Sequence, residues 1–385
     1  MIQSTDRILT TLVGSLPRTE AVCEMLLRKE HNQPYEQADF DRVIHQATMD
    51  VVRKQVAMGI DIVSDGETSK IGYATYIKDR LTGFGGENTV KPHLDMVNHP
   101  NLRKRMVAFT GPQSFKRLCC TAPVTLRDRD AVHKDIATFQ VALKAAHNGQ
   151  RPVAAFMDAA SPGVVSSFQP NKYYPTHQAY IEALALALQP EYEAIHAAGF
   201  ILQLDCPDLA MSRHTGFQDL TEAEFLTRVN FHIDVLNHTL RNIPASAMRM
   251  HVCWGNYEGP HDHDIGIEKI LPIILRAKPC AISFEAANPR HQHEWAVWRD
   301  AKIPDDKVLM PGMLDTSTNF VEHPELIAQR VERFADIVGR ERVIASTDCG
   351  FGTFAGHGKV EPEIAFMKLQ SLVDGAAIAS QRLWK

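Results

Sequence analysis

The sequence predicts an α/β protein of a single domain, in which eight parallel strands alternate with helices and close into a barrel. Two observations support this fold class. Short runs of β-branched and apolar residues recur, and each run ends in a polar or glycine-rich turn and precedes a stretch with helical periodicity. Eight such runs fit into 385 residues, a length that suits one large (β/α)8 barrel of the TIM type. A doubly wound open sheet is the structural alternative.

The predicted strands follow one another at spacings that leave room for a helix after nearly every one. In chain order they are TTLVGSL (10–16), IDIVSDGE (60–67), VAAFMDAA (153–160), FILQLDCP (200–207), MRMHVCWG (around 249–255), AISFEAAN (281–288), VLMPGMLD (308–315) and RVIASTDCG (342–350). Amphipathic patterns predict helices at 36–58, 177–198, 219–240 and 324–339. The spacing is broken once, by an inserted segment at roughly 85–150 between the second and third strands, which we expect to form a small lobe over the barrel mouth. No low-complexity linker divides the chain, so residues 1–385 are predicted to form one domain.

Composition excludes several classes of partner. The formal net charge is −5 and the sequence has no basic stripe, so neither nucleic acid nor an anionic membrane surface is an expected partner. No segment approaches about 18 uninterrupted apolar residues, and the first residues lack a basic region followed by an apolar run. We therefore expect a cytoplasmic protein. The seven cysteines form no closely spaced, paired framework, which predicts reduced thiols or metal ligands.

The strongest local signal for chemistry is His251-Val252-Cys253. Alternate residues of a strand point the same way, so this tripeptide presents an imidazole and a thiol on one side of the chain. The pair lies at the carboxyl end of the fifth strand, where barrel enzymes assemble their sites; the sixth strand ends in Glu285 and the last one in Cys349. Such donors suit Zn²⁺ in tetrahedral geometry. Taken alone, Glu285 could pair with an arginine at the barrel rim, and Cys349 could be a packed thiol before a glycine turn.

Five motifs at the predicted strand ends carry a resemblance to a known family. They are Val13-Gly14-Ser15-Leu16-Pro17-Arg18, Asp65-Gly66-Glu67, Leu202-Gln203-Leu204-Asp205-x-Pro207, His251-x-Cys253 and Asp348-Cys349-Gly350. On these motifs the chain resembles, over almost its whole length, the carboxy-terminal catalytic barrel of cobalamin-independent methionine synthase and its short stand-alone relatives. The resemblance implies that zinc is the cofactor and that its ligands are His251, Cys253, Glu285 and Cys349.

The resemblance also implies a substrate site and a reaction. In that family the residues that match Ser15, Glu67 and Asp205 bind the amino-acid part of homocysteine, and two carboxylates can neutralise an ammonium group. A thiol bound to Zn²⁺ loses its proton near neutral pH and can attack an electrophilic carbon. The expected partners are therefore a small-molecule thiol and an alkyl donor, and large barrels often form homo-oligomers. The leaving group needs a proton, for which the candidate catalytic residues are Asp315, His261 and His291, with His263 and His293 in the same histidine-rich segments.

The donor side departs from the family pattern. The stretch after the third strand, SPGVVSSFQPNKYYP, lacks the family's tryptophan, for which Phe168, Tyr173 or Tyr174 could substitute. The histidine that should follow Asp315 shortly is also missing. These differences argue against folate as the donor.

Two alternative functions stay open at this point. The related epoxyalkane:coenzyme M transferases open epoxides with a similar zinc-bound thiolate, but coenzyme M carries a sulfonate and no amine, so its pocket needs a cation. Glu67 and Asp205 favour an amino thiol, whereas Arg18 and Arg213 keep the epoxide reaction under consideration. A uroporphyrinogen decarboxylase-like enzyme would share the barrel without needing the four metal ligands.

Overall fold

A curled sheet of six parallel strands lies at the centre of the structure, a computed structural model that describes residues 2–89, 91–110, 116–146 and 152–385. The strands along the chain are β1 (Leu9–Thr10), β2 (Ile62–Val63), β3 (Phe84–Gly85), β4 (Cys119–Cys120), β5 (Ala154–Ala160), β6 (Ile201–Asp205), β7 (Met248–Val252), β8 (Ala281–Phe284), β9 (Val308–Pro311) and β10 (Ile344–Ala345). The six-stranded sheet has the order β2-β5-β6-β7-β8-β9. This order follows the chain without the reversal that a doubly wound sheet requires, so the open-sheet alternative is wrong.

The first and last strands pair with each other. β1 and β10 run parallel, with Leu9 opposite Ile344. Single parallel bridges link this pair to the edges of the six-stranded sheet, Thr11–Ile62 on the β2 side and Leu309–Val343 and Gly312–Ser346 on the β9 side. The two ends of the chain therefore contribute neighbouring strands beside the central sheet.

Thirteen α-helices connect the strands in the described part of the chain, and the longer ones pack around the sheet. They are α1 (Glu20–Glu30), α2 (Gln37–Met58), α3 (Ile77–Arg80), α4 (Leu94–Val97), α5 (Pro100–Thr110), α6 (Asp130–Ala145), α7 (Pro162–Phe168), α8 (His177–Ala197), α9 (Glu222–Thr239), α10 (Ile267–Ile274), α11 (Trp295–Asp300), α12 (Pro324–Val338) and α13 (Pro362–Leu383). The four helices predicted from amphipathic patterns are confirmed as α2, α8, α9 and α12. Strands β6 to β9 are buried along their whole length, as expected for a parallel sheet with both faces covered. Over the described part of the chain, no helix combines the length and apolar character needed to span a membrane.

The segment between β2 and β5 has two parts with different packing. Strands β3 and β4 form a small antiparallel pair apart from the central sheet, with Phe84 opposite Cys120. Helix α6 instead packs against α2 and α8 and buries Val132, Ile136 and Phe139. The expectation that the whole of 85–150 leaves the barrel is therefore wrong for α6, because its periodic apolar face makes it part of the outer helical layer; residues 147–151 lie outside the described part.

Candidate active site

Four predicted metal ligands lie together at the carboxyl ends of β7, β8 and β10. Donor atoms of His251, Cys253 and Cys349 all lie within 4.8 Å of one another. The sulfur of Cys349 lies 3.8 Å from Nε2 of His251 and 3.6 Å from Oε1 of Glu285. All four side chains are buried. Three separate strand ends thus bring two thiols, one imidazole and one carboxylate to one place.

The spacing and protonation of this cluster fit a tetrahedral zinc ion. Ligand atoms 2.0–2.3 Å from such an ion are about 3.3–3.8 Å apart, close to the distances around Cys349. Burial, and then the charge of Arg249, lower the pKa of His251 to about 3, which keeps the imidazole neutral and able to ligate a metal. A hydrogen bond with Cys253, and then burial, raise the pKa of Cys349 well above its ordinary value. A nearby cation is therefore needed before this thiol loses its proton at neutral pH.

Hydrogen bonds fix the orientation of Glu285. Its Oε1 accepts a bond of 2.8 Å from the backbone N–H of Trp254, and its Oε2 accepts one of 2.5 Å from Nδ2 of Asn288. The Cys349 thiol donates a third, longer bond of 3.6 Å to Oε1, and among the described residues none of these donors is an arginine. The carboxylate faces the Cys349 sulfur, so Glu285 does not form the ion pair with an arginine at the barrel rim that was its alternative role.

Asp348 connects the end of β10 to the loop after Glu285. Its Oδ1 accepts hydrogen bonds from the backbone N–H groups of Ala286 (2.8 Å) and Ala287 (2.9 Å), and its Oδ2 accepts one from Asn288 (2.8 Å). Gly312 makes room for this carboxylate, since a Cβ at that position would lie 1.9 Å from Oδ1 of Asp348. The Asp-Cys-Gly motif therefore fixes the loop that follows Glu285, and it also supplies Cys349, so it positions two of the predicted ligands.

A pocket of three buried carboxylates adjoins the four predicted ligands, His251, Cys253, Glu285 and Cys349, which we call the metal cluster. Oxygens of Glu67, Asp158 and Asp205 lie within 4.8 Å of one another. Asp205 ends β6 directly opposite His251 of β7, so the two sites lie on neighbouring strands. Burial, and then the charge of Asp158, raise the pKa of Asp205 to about 8 and the pKa of Glu67 well above its ordinary value. We call these three side chains the carboxylate pocket.

The glycine-rich motifs shape the surroundings of this pocket. The backbone N–H of Leu16 donates to the carbonyl of Gly66, which places the first-strand turn beside Glu67. A Cβ on Gly14 would lie 2.9 Å from Oε1 of Glu67, so only glycine leaves the carboxylate enough space. Ser15 faces the other way, and its Oγ accepts a hydrogen bond of 3.3 Å from the N–H of Gly352. Ser15 therefore lies between the carboxylate pocket and the loop that carries Cys349.

Sequence reasoning missed Asp158 and Lys70. The Lys70 ammonium lies 2.8 Å from Oδ2 of Asp158, and both side chains are buried. The available signal was an acidic residue inside an otherwise apolar predicted strand, which is unusual unless the charge is paired.

The histidines His261 and His291 meet at Asp264. Nδ1 of His261 and Nε2 of His291 lie 2.8 Å and 2.9 Å from Oδ2 of Asp264. The ring of His291 also stacks on Trp254, the residue after Cys253, with ring centroids 4.2 Å apart. The structure therefore brings two of the three predicted proton donors together beside the metal cluster. Asp264 was missed, although it stands in the same His-Asp-His-Asp segment.

The remaining candidates lie elsewhere. The Asp315 carboxylate accepts hydrogen bonds from Ser317 and Thr318 and so closes its own turn. His263 is exposed beside Asp262, and His293 is exposed. Their positions fit loop residues better than proton donors.

His291 makes stability depend on pH above neutrality. Burial opposes its charge, but hydrogen bonds with Asp264 and Glu294 prevail and raise the pKa of His291 to about 10. The unfolded value is about 6.5, so the stabilisation from the protonated ring is complete below about pH 6.5 and is lost as the pH rises toward about 10. We expect the free energy of unfolding of the metal-free protein to fall by about 1–3 kcal/mol across this window in urea titrations. His291→Gln should flatten the profile and His263→Gln should not; equal slopes in wild type and His291→Gln would contradict the assignment.

A cavity of about 1160 Å³ opens over the carboxyl ends of the strands. An aromatic cluster of Tyr73, Phe168 and Phe354 lines it, and their ring centroids are 5.6–6.2 Å apart. Residues of the segment between β2 and β5, among them 86–89, complete the lining.

Of the three aromatic residues proposed to replace the family's tryptophan, Phe168 lines this cavity. Tyr174 lies away from the lining, where it accepts a hydrogen bond from Val124 and packs on Tyr180. Tyr173 packs against Tyr174.

Comparison with known proteins identifies one sequence family over most of the chain. Residues 8–377 match the sequence family described as the catalytic domain of cobalamin-independent synthase. A methionine synthase of Saccharolobus solfataricus is 22% identical over 380 residues, which cover 97% of this chain and 95% of the relative. A methionine synthase of Thermococcus kodakarensis is 22% identical over 378 residues, with 97% and 94% covered.

Solved structures support the same fold. A B12-independent methionine synthase from a Shewanella species, solved in complex with selenomethionine, superimposes with a TM-score of 0.74 at 18% identity, covering 98% of this chain and 99% of the other. A vitamin-B12 independent methionine synthase homologue from Listeria monocytogenes gives a TM-score of 0.62 at 17% identity, with 97% and 98% covered.

Proposed function

This chain belongs to the cobalamin-independent synthase catalytic-domain family, and from that premise we propose that it is a zinc-dependent methyltransferase acting on the thiol of homocysteine or a similar amino thiol. The observation that carries the proposal is the juxtaposition of two sites. Four side chains with the spacing of zinc ligands lie one strand away from a pocket that suits an ammonium group. A single small molecule with a thiol and an amine could occupy both.

The proposed ligands of zinc are His251, Cys253, Glu285 and Cys349. Zinc bound there would lower the pKa of a substrate thiol and so supply a thiolate nucleophile at neutral pH. Glu67 and Asp205 would bind the substrate ammonium, while Ser15 and neighbouring backbone N–H groups would receive its carboxylate. This arrangement holds the substrate by its amino-acid end and leaves its sulfur at the metal cluster.

The reaction forms a sulfur–carbon bond and breaks the bond between that carbon and the donor's leaving group. The leaving group then takes up a proton, and the proposed donors remain His261, His291 and Asp315. His291 is the strongest of the three, because its raised pKa keeps a proton on the ring at neutral pH. The oxygens of Asp315 are engaged in its own turn, which weakens its candidacy.

We also propose that the eight parallel strands form one closed barrel, with β3, β4, α4 and α5 as a lobe at its mouth. The single bridges that flank the β1–β10 pair support closure at both edges of the six-stranded sheet. The lobe's contribution to the cavity lining supports its position over the strand ends.

The two alternative functions gain no support from the relatives described above. Arg18, which kept the coenzyme M reaction under consideration, donates its hydrogen bonds to the backbone carbonyls of Glu67 and Gly352. Arg213 is half-buried in a turn after β6 and does not line the cavity. Neither arginine lines the cavity in which a sulfonate would have to bind.

A titration of the cobalt-substituted protein tests the proposal. Homocysteine should produce a sulfur-to-metal charge-transfer band that saturates at one equivalent, and coenzyme M should produce none at the same concentration. The Cys280→Ser variant, which changes a buried cysteine away from the cluster, should retain the band. A band with coenzyme M alone would favour epoxide opening, and no band with either thiol on a cobalt-loaded protein would refute thiol activation.

A further inference from the structure

The carboxylate pocket contains one acidic side chain more than the two that the proposed function assigns to the substrate amine. Asp158 lies in β5, beside β6, and its carboxylate meets those of Glu67 and Asp205. We propose that Asp158 is a third acceptor for the substrate ammonium, and that the pocket therefore selects a primary amine and rejects N-alkylated or amine-free analogues. This inference rests on the proposed function, and it adds a residue that determines specificity.

Unused hydrogen-bonding capacity points to a ligand with several donors. Among the described residues, Oε2 of Glu67 and Oδ1 of Asp158 have no hydrogen-bond partner, although both side chains are at least 97% buried, with exposures of 3% and 2%. A buried carboxylate oxygen without a partner costs free energy, so such atoms are rarely left unpaired unless a ligand completes them. Asp205 accepts a bond on Oδ1 from Gln203 and keeps its second oxygen for the pocket.

The geometry of the three carboxylates matches a primary ammonium group. An –NH₃⁺ group has three donors at tetrahedral angles, so three acceptors at about 2.8 Å from its nitrogen lie about 4.6 Å apart. One oxygen of each of the three carboxylates lies within 4.8 Å of the other two, a limit that admits this spacing. Each N–H can therefore point at a different carboxylate.

Three cations lie around the pocket, one in direct contact with a carboxylate and two that act through an intermediate group. Lys70 contacts Oδ2 and the backbone carbonyl of Asp158 and leaves Oδ1 for the pocket. Arg249 donates to Gln203, which in turn donates to Asp205. Together with Arg18, which is bonded to the backbone of Glu67, these cations partly offset the burial that raises the pKa of Glu67 and of Asp205, and an ammonium ligand would offset it further.

Lys70 also argues against a second metal ion in the pocket. Its ammonium already lies 2.8 Å from Oδ2 of Asp158, where it would repel a divalent cation bound to the same carboxylate. A singly charged ammonium meets less repulsion and donates the hydrogen bonds that a metal cannot. The pocket therefore fits an organic cation of small size.

Methylation of the amine is the sharpest probe of this arrangement. N-methylation keeps the charge but replaces one N–H by a methyl group, which leaves one buried carboxylate oxygen unpaired. Loss of a charge-assisted hydrogen bond of this kind should weaken binding by at least about 30-fold. Removal of the whole amine should weaken binding further.

Calorimetric titration of the wild-type protein with L-methionine, N-methyl-L-methionine and 4-(methylthio)butanoate tests the proposal. We expect affinity to fall in that order, with at least about 30-fold between the first two. Asp158→Asn should lose about 30-fold for methionine, reduce the preference over N-methylmethionine to below about 5-fold, and leave 4-(methylthio)butanoate unchanged. Asp208→Asn, which alters an equally buried aspartate bonded to Ser161 and His232, should keep the ligand preference.

The wild-type series needs no variant, so it decides the question even where Asp158→Asn fails to fold. Equal affinity for methionine and its N-methyl derivative, or no binding of methionine, would overturn the proposal, as would equal losses of Asp158→Asn for all three ligands. Methionine has no thiol, so these titrations are separate from thiol activation. A cobalt-loaded protein that is silent with homocysteine but discriminates N-methylmethionine would refute the proposed function and keep the pocket.

Discussion

Cys349→Ser will lose stoichiometric zinc and thiol alkylation together. The serine hydroxyl is a poor zinc ligand because it stays protonated where a thiolate binds, and the neighbouring donors His251, Cys253 and Glu285 cannot fill the vacated corner. Outer contacts of metal sites are already worth about 10- to 100-fold in affinity, so loss of a direct ligand should exceed about 100-fold. Cys253→Ser should behave in the same way. Metal content by atomic emission after dialysis and the rate of thiol alkylation are the measurements.

The matched control for both variants is Cys280→Ser. Cys280 is 5% exposed and directly precedes β8, at the opposite end of that strand from Glu285. The control should retain zinc and activity, since it changes a buried thiol that contacts none of the ligands at the strand ends. Full zinc content in both Cys253→Ser and Cys349→Ser would refute the metal site.

Asp348→Ala should have the largest effect on stability of the substitutions considered. It removes the acceptor of three backbone N–H groups, of which those of Ala286 and Ala287 are buried and that of Asn288 is half-buried. Each unsatisfied buried donor costs about 1–3 kcal/mol, and the effects of neighbours are not additive, so we expect a loss of about 3–5 kcal/mol. Urea unfolding of the metal-free protein measures it without a contribution from bound zinc.

Asp348→Asn is the matched control for this prediction. It preserves the shape of the side chain and one carbonyl oxygen, so at least one of the three N–H groups keeps an acceptor. The loss should be about half that of Asp348→Ala. A change below about 1 kcal/mol in Asp348→Ala would mean that the loop after Glu285 finds other partners.

The convergence of the four proposed metal ligands could be predicted, because one rule of parallel sheets is sufficient for it. Strands that run the same way end at the same edge, so polar residues that close successive apolar runs converge there. His251, Cys253, Glu285 and Cys349 all satisfy that rule, and the structure brings them together. Glu67 and Asp205 also follow predicted strands, but their assignment to the substrate site came from the family resemblance.

The residues that sequence reasoning missed obey no such rule. Lys70 and Asp158 are 88 positions apart, and only the path of the chain through the segment after β2 brings them into contact. Asp264 could not be singled out because its role depends on contacts with His261 and His291, and these two histidines come from different loops. Asp315 stands at a strand end, yet its carboxylate turns back to hydrogen-bond its own loop. Side-chain direction in loops is set by local hydrogen bonds that strand patterns do not encode.

The pairing of β1 with β10 has a consequence for biosynthesis. The first-strand turn and the Cys349 loop touch through the Ser15–Gly352 hydrogen bond, between residues 337 positions apart. A nascent chain emerging from the ribosome therefore holds His251 and Cys253 long before it can present the last ligand. Contacts of such long sequence separation form late, because the intervening chain must first be ordered. The complete set of proposed ligands, and any reactivity that depends on it, should thus be confined to chains that have been synthesised beyond Cys349.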